Sequence, residues 1–439
     1  MIFQESLRYL LNLGNEVLAM KLGLENIRTL LAALENPQNN YLKVQVAGTN
    51  GKGSVCVFLE AICVSAGIKV GLTTSPHLIS ITERIKINGR EISEEDFARH
   101  ATKVREISEQ LVENSKLEDK SKIRLETVPT FFEQVTAIAL NAFAEAKIDL
   151  AILETGLGGR FDATTGANAE IVAITPIDFD HQNILGNSLA HIAAEKAAVI
   201  RRNTKVVLAK QSKEASKIIQ DVCANFSVAP KLADFAGDIV ASKDGKFIIN
   251  FQTRQTKYEN VKLNLRGRHQ IENAKVAILL AETLQNYFNI TGKNIIKGLE
   301  TAVHKGRLEF YNGYLFDGAH NIGGAKALRE FLDEFVPEKI TMVFGAMRDK
   351  DLNEISAILF PKADKLIFTK ADNPRSIEPQ NFLNFTSECK IGTVFTANNV
   401  TQAVKLARQI TTKDDLILVT GSLYLVGEAQ KILQSKNYV

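Results

Sequence analysis

Short apolar runs and stretches of helical period alternate along most of the chain. LKVQVA (42–47), KVGLTT (69–74), DLAILET (149–155), EIVAITPI (170–177) and KVVLAK (205–210) are brief and rich in β-branched residues, and they predict buried strands. Between the first two, Val55, Phe58, Leu59 and Ile62 recur at helical spacing, and Gly67 stands where that helix would end. FFEQVTAIALNAFAEA (131–146), HIAAEKAAVI (191–200) and HQIENAKVAILLAETLQNYF (269–288) predict further helices. The first 40 residues carry Leu11, Leu18, Leu22 and Leu30 in a helical pattern, which NPQNN (36–40) closes as a turn. Residues 94–120 read as a charged, exposed helix, and 235–265 alternate apolar and polar positions as antiparallel hairpins do.

After 298–308 the order restarts. FYNGYLFD, ITMVFGA, KLIFTKA, TVFTA and DLILVTG predict a second set of strands, with helices from Gly323, from Leu352 and after the later strands. This alternation predicts an α/β protein of two units. Residues 1–298 form a mainly parallel sheet bearing a P-loop, with helices on both faces. Residues 299–439 form a smaller, Rossmann-like α/β unit.

Composition narrows the field by exclusion. With 53 basic and 50 acidic residues the net charge is +3, too balanced to argue for nucleic acid or a membrane surface. No apolar run reaches the roughly 18 residues of a membrane span. MIFQESLRYL does not read as a signal peptide, so the expected location is the cytoplasm. Cys56, Cys63, Cys223 and Cys389 form no C-x-x-C pair and read as small core residues in a reducing compartment.

The chemistry starts at VAGTNGKGS (46–54), between a strand and a helix. The pattern G-x-x-x-x-G-K-[ST] fails here, because Gly53 follows Lys52 and Val46 stands at the first glycine position. Gly48, Gly51 and Gly53 still permit a tight turn and close approach to a ligand. Backbone N–H groups at the helix start attract phosphate, Lys52 adds a point charge, and Ser54 offers a hydroxyl to Mg²⁺. Glu154 ends a strand, where it either meets a ligand or caps the next turn. His181 follows another strand end; a lone histidine there is either structural or one of several groups sharing a crevice, with Ser75 a further candidate. Lys196 reads on its own as a surface lysine of a helix. His269, Gln270 and Asn273 open a helix, Arg307 stands at the junction of the units, and Asp317, His320 and Asn321 follow a strand. Around one crevice these could hold a base, a ribose and phosphates.

GTNGKGS, SPHL followed by TERIKING, FFEQVTAIA, ETGLGGRFDAT, DHQNILG, IAAEKA, HQIENA, GRLE, DGAHN, FGAMRDKD and TGSLYL occur in this order. The series resembles the folylpolyglutamate synthase and dihydrofolate synthase family of the Mur ligase superfamily, over about residues 18–427. The resemblance implies an ATP- and Mg²⁺-dependent ligase that activates a carboxylate as an acyl phosphate and joins it to L-glutamate. It implies that Asn50, Gly51, Lys52, Gly53, Ser54, Asn273, Arg307 and Asp317 contact ATP. Ser54 and Glu154 are implied at one Mg²⁺, and Ser75, Glu154 and His181 at a second. His320 is implied beside the reacting phosphate, and Lys196 as a lysine that becomes carbamylated, turning a cation that would repel metal into an anion. Thr130, Phe131, Phe132 and Glu133, with Phe161, Asp162 and Ala163, match stretches that contact dihydropteroate. So do Ala19–Leu22, which read A-M-K-L where the bifunctional pattern has T-I-D-L. His304-Lys305 stands where Trp-Pro is usual. The expected partners are a folate or dihydropteroate and L-glutamate, and the expected state is a monomer.

Two other readings compete. A Mur-type ligase with another carboxylate acceptor is opposed by SPHL and by the GKGS form of the loop. A P-loop switch without ligation is opposed by the second α/β unit carrying DGAHN.

Overall fold

The apolar runs of the first unit pair side by side into an eight-stranded sheet. In a computed structural model that describes residues 1–14, 23–115, 123–386 and 392–435, its order is Arg90–Glu91, Ile85–Ile87, Val70–Thr73, Leu150–Glu154, Leu42–Ala47, Ile171–Ile174, Lys205–Leu208 and Lys231–Leu232. All neighbours run parallel except at the hairpin of residues 85–91. Strands covered on both faces need apolar side chains in both directions, as in Leu150–Glu154 and Ile171–Ile174; Leu42–Ala47 alternates instead, and its buried Lys43 and Gln45 are hydrogen-bonded. Val44 and Val46 pack on the helices Lys52–Ser65 and His269–Leu284. Ala151 and Leu153 face the opposite layer, built from Glu25–Ala33, Glu94–Asn114 and Phe131–Glu145. Residues 236–262 add a three-stranded antiparallel sheet whose Phe247, Ile249 and Phe251 join the first core.

The second unit is a six-stranded sheet in the order Glu309–Tyr311, Tyr314–Asp317, Leu416–Thr420, Ile340–Phe344, Lys365–Phe368 and Thr393–Thr396. Only the first strand is antiparallel. Ile322–Phe335 and Leu352–Leu359 cover one face, and Val400–Ile410 with Leu423–Gln434 the other.

Most predicted elements stand where the pattern placed them; two readings need correction. The helix Glu94–Asn114 is not simply exposed, for Phe97, Ala101, Val104 and Leu111 are buried against its neighbours. Its apolar stripe is thin, and the charges on the opposite face masked it. NPQNN is more than a turn: after Asn36, at φ 53°, residues Pro37–Asn40 form a short 3₁₀ helix. Leu11 lies in the helix Phe3–Asn12, on its exposed side. Leu18, Leu22 and Cys389 lie outside the described residues, while Cys56, Cys63 and Cys223 are buried free thiols. Among the described residues no helix is long and apolar enough to cross a membrane.

The helix Gly292–Thr301, which leads into the second unit, lies directly on the helix that follows the P-loop. A Cβ on Gly298 would meet the backbone N and Cα of Ile62 at 2.4 Å. Gly298→Ala must therefore push the two helices apart. The expected cost is about 1–3 kcal/mol of unfolding free energy, read from the urea midpoint of the purified variant.

Candidate active site

At the end of the central strand Leu42–Ala47 the chain turns through Gly48 (φ 139°) and Gly51 (φ 87°), and a helix begins at Lys52. The turn is tied down where the N–H groups of Thr49 and Asn50 donate to the carbonyl of Pro176, at 3.1 and 3.2 Å. Three side chains press against it. An added Cβ would lie 2.2 Å from Asn273 Oδ1 at Gly51, and 2.8 Å from His304 Cε1 and 3.4 Å from Glu154 Oε1 at Gly53. The first N–H groups of a helix have no partner within it, so this start is a natural phosphate cradle. Lys52 Nζ curls back to Thr49 O at 3.1 Å. Ser54 Oγ accepts from Gln270 Nε2 at 3.1 Å and sits 3.3 Å from His304 Nδ1.

Glu154, on the adjacent strand, is buried and accepts the Ser75 N–H on Oε2 at 3.1 Å. Its carboxylate thus lies between the segments that carry Ser54 and Ser75. His181 adopts left-handed backbone (φ 50°), and burial pushes its pKa down to about 4, so it offers a neutral imidazole. Among the described residues no three His, Cys, Asp or Glu side chains gather into a metal cage. Mg²⁺ does not require one: it is held through one or two carboxylates, with substrate phosphates and water completing its shell. One carboxylate flanked by two serines fits that demand.

Lys196 overturns its reading as a surface residue. It is only 4% exposed, and its ammonium donates to Gly48 O at 2.8 Å. Burial, then Lys52, lowers its pKa to about 7. An isolated helical repeat cannot show that one position faces a strand–loop junction.

The second unit closes the crevice. Asp317, at a strand end, accepts the N–H groups of Leu308 (3.0 Å) and Ala319 (2.9 Å), and Arg307 Nη1 donates to Gly318 O at 3.2 Å. His320 Nδ1 donates to the same carbonyl at 2.7 Å, and burial holds its pKa down to about 3. Asn321 reaches across to the first unit, donating to Asn50 Oδ1 (3.0 Å) and Asp180 Oδ2 (3.1 Å). Lys350 crosses as well, 2.7 Å from Asp180 Oδ1. Burial opposes the Asp180 charge, but Lys350, His181 and His320 outweigh it and hold the carboxyl below the usual range. Arg375, 3.6 Å from Asp349, stacks on Tyr424.

One cavity of about 500 Å³ is lined by both units and contains every named candidate from the loop, the metal set and the nucleotide set. It also takes in Thr130, Phe132, Glu133, Phe161, Asp162 and Ala163. Phe132 lies over Gly156, where a Cβ would be 2.7 Å from the ring. Thr130 and Glu133 form a reciprocal cap on the helix Phe131–Glu145. Phe131 turns away from the cavity into the core, under Arg84. Ala19–Leu22 lie outside the described residues. In the sequence, Lys350 of FGAMRDKD has no evident task, and His304 stands out only as a departure from the family pattern. The one usable signal is position, since both follow boundaries where chain enters the crevice.

A P-loop sheet and a second α/β unit meeting over one polar cleft define an ATP-dependent ligase of the Mur type. The sequence matches the Mur ligase middle domain over residues 46–281 and the glutamate ligase domain of Mur ligases over 306–423. It is 32% identical over 431 residues to the dihydrofolate synthase/folylpolyglutamate synthase of Bacillus subtilis, covering 96% of this chain and 97% of that protein. The fold superposes on Mycobacterium tuberculosis folylpolyglutamate synthase complexed with ADP at a TM-score of 0.89, with 28% identity and 99% and 98% of the two chains covered. E. coli FolC in complex with DHPP and ADP gives 0.85, at 27% identity and 100% and 99% coverage. The chain belongs to the dihydrofolate synthase/folylpolyglutamate synthase family of Mur ligases.

The Asp180–Lys350 pair has a pH signature. Asp180 ionises more readily folded than unfolded, where its pKa is about 3.9. The pair therefore adds stability above that value, and the gain is lost as pH falls below it. Lys350→Met should cost about 3–5 kcal/mol at pH 7 by leaving a buried carboxylate unpaired. It should also flatten the fall in urea midpoint between pH about 5 and about 3.

Proposed function

We propose that this chain adds L-glutamate to the γ-carboxyl of tetrahydrofolates and to the carboxyl of dihydropteroate, with ATP consumed and ADP and phosphate released. The observation that carries this reading is one cavity in which the loop residues Lys52 and Ser54, the acid Glu154 and the second unit's Arg307, Asp317, His320 and Lys350 all face the same space. The named relatives support the substrates: one neighbour holds DHPP and ADP, and another, a bifunctional folylpolyglutamate synthase/dihydrofolate synthase, holds Mn, AMPPNP and L-glutamate.

In this reading residues 1–298 bind ATP and the acceptor, and residues 299–439 present the amino acid. The N–H groups of Gly51–Ser54 and the Lys52 ammonium hold the phosphates, with Asn50 beside them and Asn273, Arg307 and Asp317 on the nucleotide. Ser54 and Glu154 would hold one Mg²⁺, and Ser75, Glu154 and His181 a second; bound there, the metal would neutralise phosphate charge. A carboxylate oxygen of the acceptor forms a bond to the γ-phosphorus as the bond to the β-phosphate oxygen breaks and ADP departs. The glutamate nitrogen then bonds to the acyl carbon, the acyl–oxygen bond breaks, and phosphate leaves. Lys350 and Arg375 are suited to carboxylates of L-glutamate. His320, with Nδ1 committed to Gly318 O, points Nε2 toward Asp180 Oδ2 at 3.9 Å, and the proton shed by the amine passes to solvent. Phe132, Phe161, Asp162 and Ala163, with the Thr130–Glu133 cap behind them, form the pteroyl side; Phe131 supports it from the core.

Lys196 is proposed as a carbamate. Only a neutral amine adds CO₂, and burial provides one near neutral pH. Both halves of the site come from one chain, which supports a monomeric working unit, and the proposed location is the cytoplasm.

Coupled ADP-release assays test the reading. Glutamate-dependent turnover is expected with tetrahydrofolate and with dihydropteroate; activity with tetrahydrofolate alone would make the chain a monofunctional polyglutamylating ligase. Lys196→Ala should lose about a hundredfold or more in kcat, partly recovered by added short-chain carboxylates. Full activity of Lys196→Ala without rescue agents would remove the carbamate from the site.

A further inference from the structure

The central strand Leu150–Glu154 has different cover on its two faces, and so does the cavity at its end. On one face Phe132, Phe161 and Asp162 line it. On the other, Val57, Lys86, Glu91, Val303, His304 and Lys305 line the same cavity, and His304 lies 3.3 Å from Ser54. The first group is aromatic and suits a pteroyl ring. The second carries cations and has no part in the chemistry assigned so far.

Lys86 comes from the hairpin strand Ile85–Ile87, opposite Leu72 on one side and Glu91 on the other. Its ammonium has no hydrogen-bond or ion-pair partner among the described residues. The nearby acids are engaged elsewhere. Glu91 takes Lys305 at 3.3 Å and the Thr82 hydroxyl at 3.2 Å. Glu83 accepts the N–H groups of Leu78, Ile79 and Ser80 at 2.8, 2.8 and 2.9 Å. Glu60 feels Lys86, but burial raises its pKa and weakens it as a counter-charge. A half-buried cation left open beside the reaction centre calls for an anionic ligand.

The acceptor supplies one. When its γ-carboxyl lies at the phosphate, the α-carboxylate of the same glutamyl residue is a short aliphatic arm away, and in the reading above the pteroyl end lies on the Phe132 side. We propose that Lys86 binds this α-carboxylate and so favours, among folate acceptors, those that end in a glutamate with both carboxylates free. The inference rests on the folate-ligase reading above and adds to it the residue that recognises the tail.

The test compares two acceptors that share the pteroyl group and the reacting carboxyl: tetrahydrofolate, and tetrahydropteroyl-4-aminobutyrate, which lacks only the α-carboxylate. Wild type should prefer tetrahydrofolate by about tenfold or more in KM. Lys86→Met should bring the ratio close to one, and Lys86→Arg should restore most of it, with thermal melts confirming that both variants fold. A preference unchanged in Lys86→Met, or no preference in wild type, overturns the role of Lys86. No glutamate-dependent turnover of either acceptor by wild type would instead overturn the folate-ligase reading on which it rests.

Discussion

The site depends on a backbone turn held rigid at the end of a fully buried strand. Leu42–Ala47 lies between two parallel neighbours, and its exit through Gly48 and Gly51 leaves no space for a side chain between loop and partners. N–H groups hold phosphate well only when their directions are set beforehand, because otherwise binding must order them. The Pro176 carbonyl, the Lys196 nitrogen and the Asn273 amide each restrain this turn from a different element. Three sequence-distant segments thus fix one short loop.

The second constraint is the polar seam between the units. Asn50, Asp180, Asn321 and Lys350 form one connected set of hydrogen bonds and a buried ion pair. Removing charges from water costs free energy that apolar packing would not incur, so such a seam is poor glue. Its value is directional: it aligns the two halves of the cleft in one register while keeping the contact polar enough to open. Around it His181, His269, His304 and His320 are all kept neutral, chiefly by burial. Neutral imidazoles leave the positive field of the cleft to its lysines and arginines, Lys52, Lys86, Arg307 and Lys350 among them. They also keep nitrogen lone pairs available.

Much of this was legible in the chain itself. Parallel strands, the loop and the restart near residue 300 follow from local rules: buried strands need continuous apolar runs, tight turns need glycine, and helices need their period. Ser54, Glu154 and His181 could be nominated because each follows a strand, and strand ends share one side of a parallel sheet. The helix Glu94–Asn114 misled because its few buried positions are outnumbered by surface charges.

What the sequence by itself determined was therefore the order of elements, the fold class and the residues delivered to the crevice. Tertiary structure alone decided what each residue is in that place. Lys196 is identical in sequence to an exposed lysine, yet burial against Gly48 changes its protonation. Phe131 and Phe132 are neighbours, yet one supports the core and the other faces the cavity. Lys350 and Asp180 stand far apart in the chain and meet only when the units dock. The physical reason is common to all three: protonation, exposure and pairing are set by what lies across space, and local spacing carries no record of it.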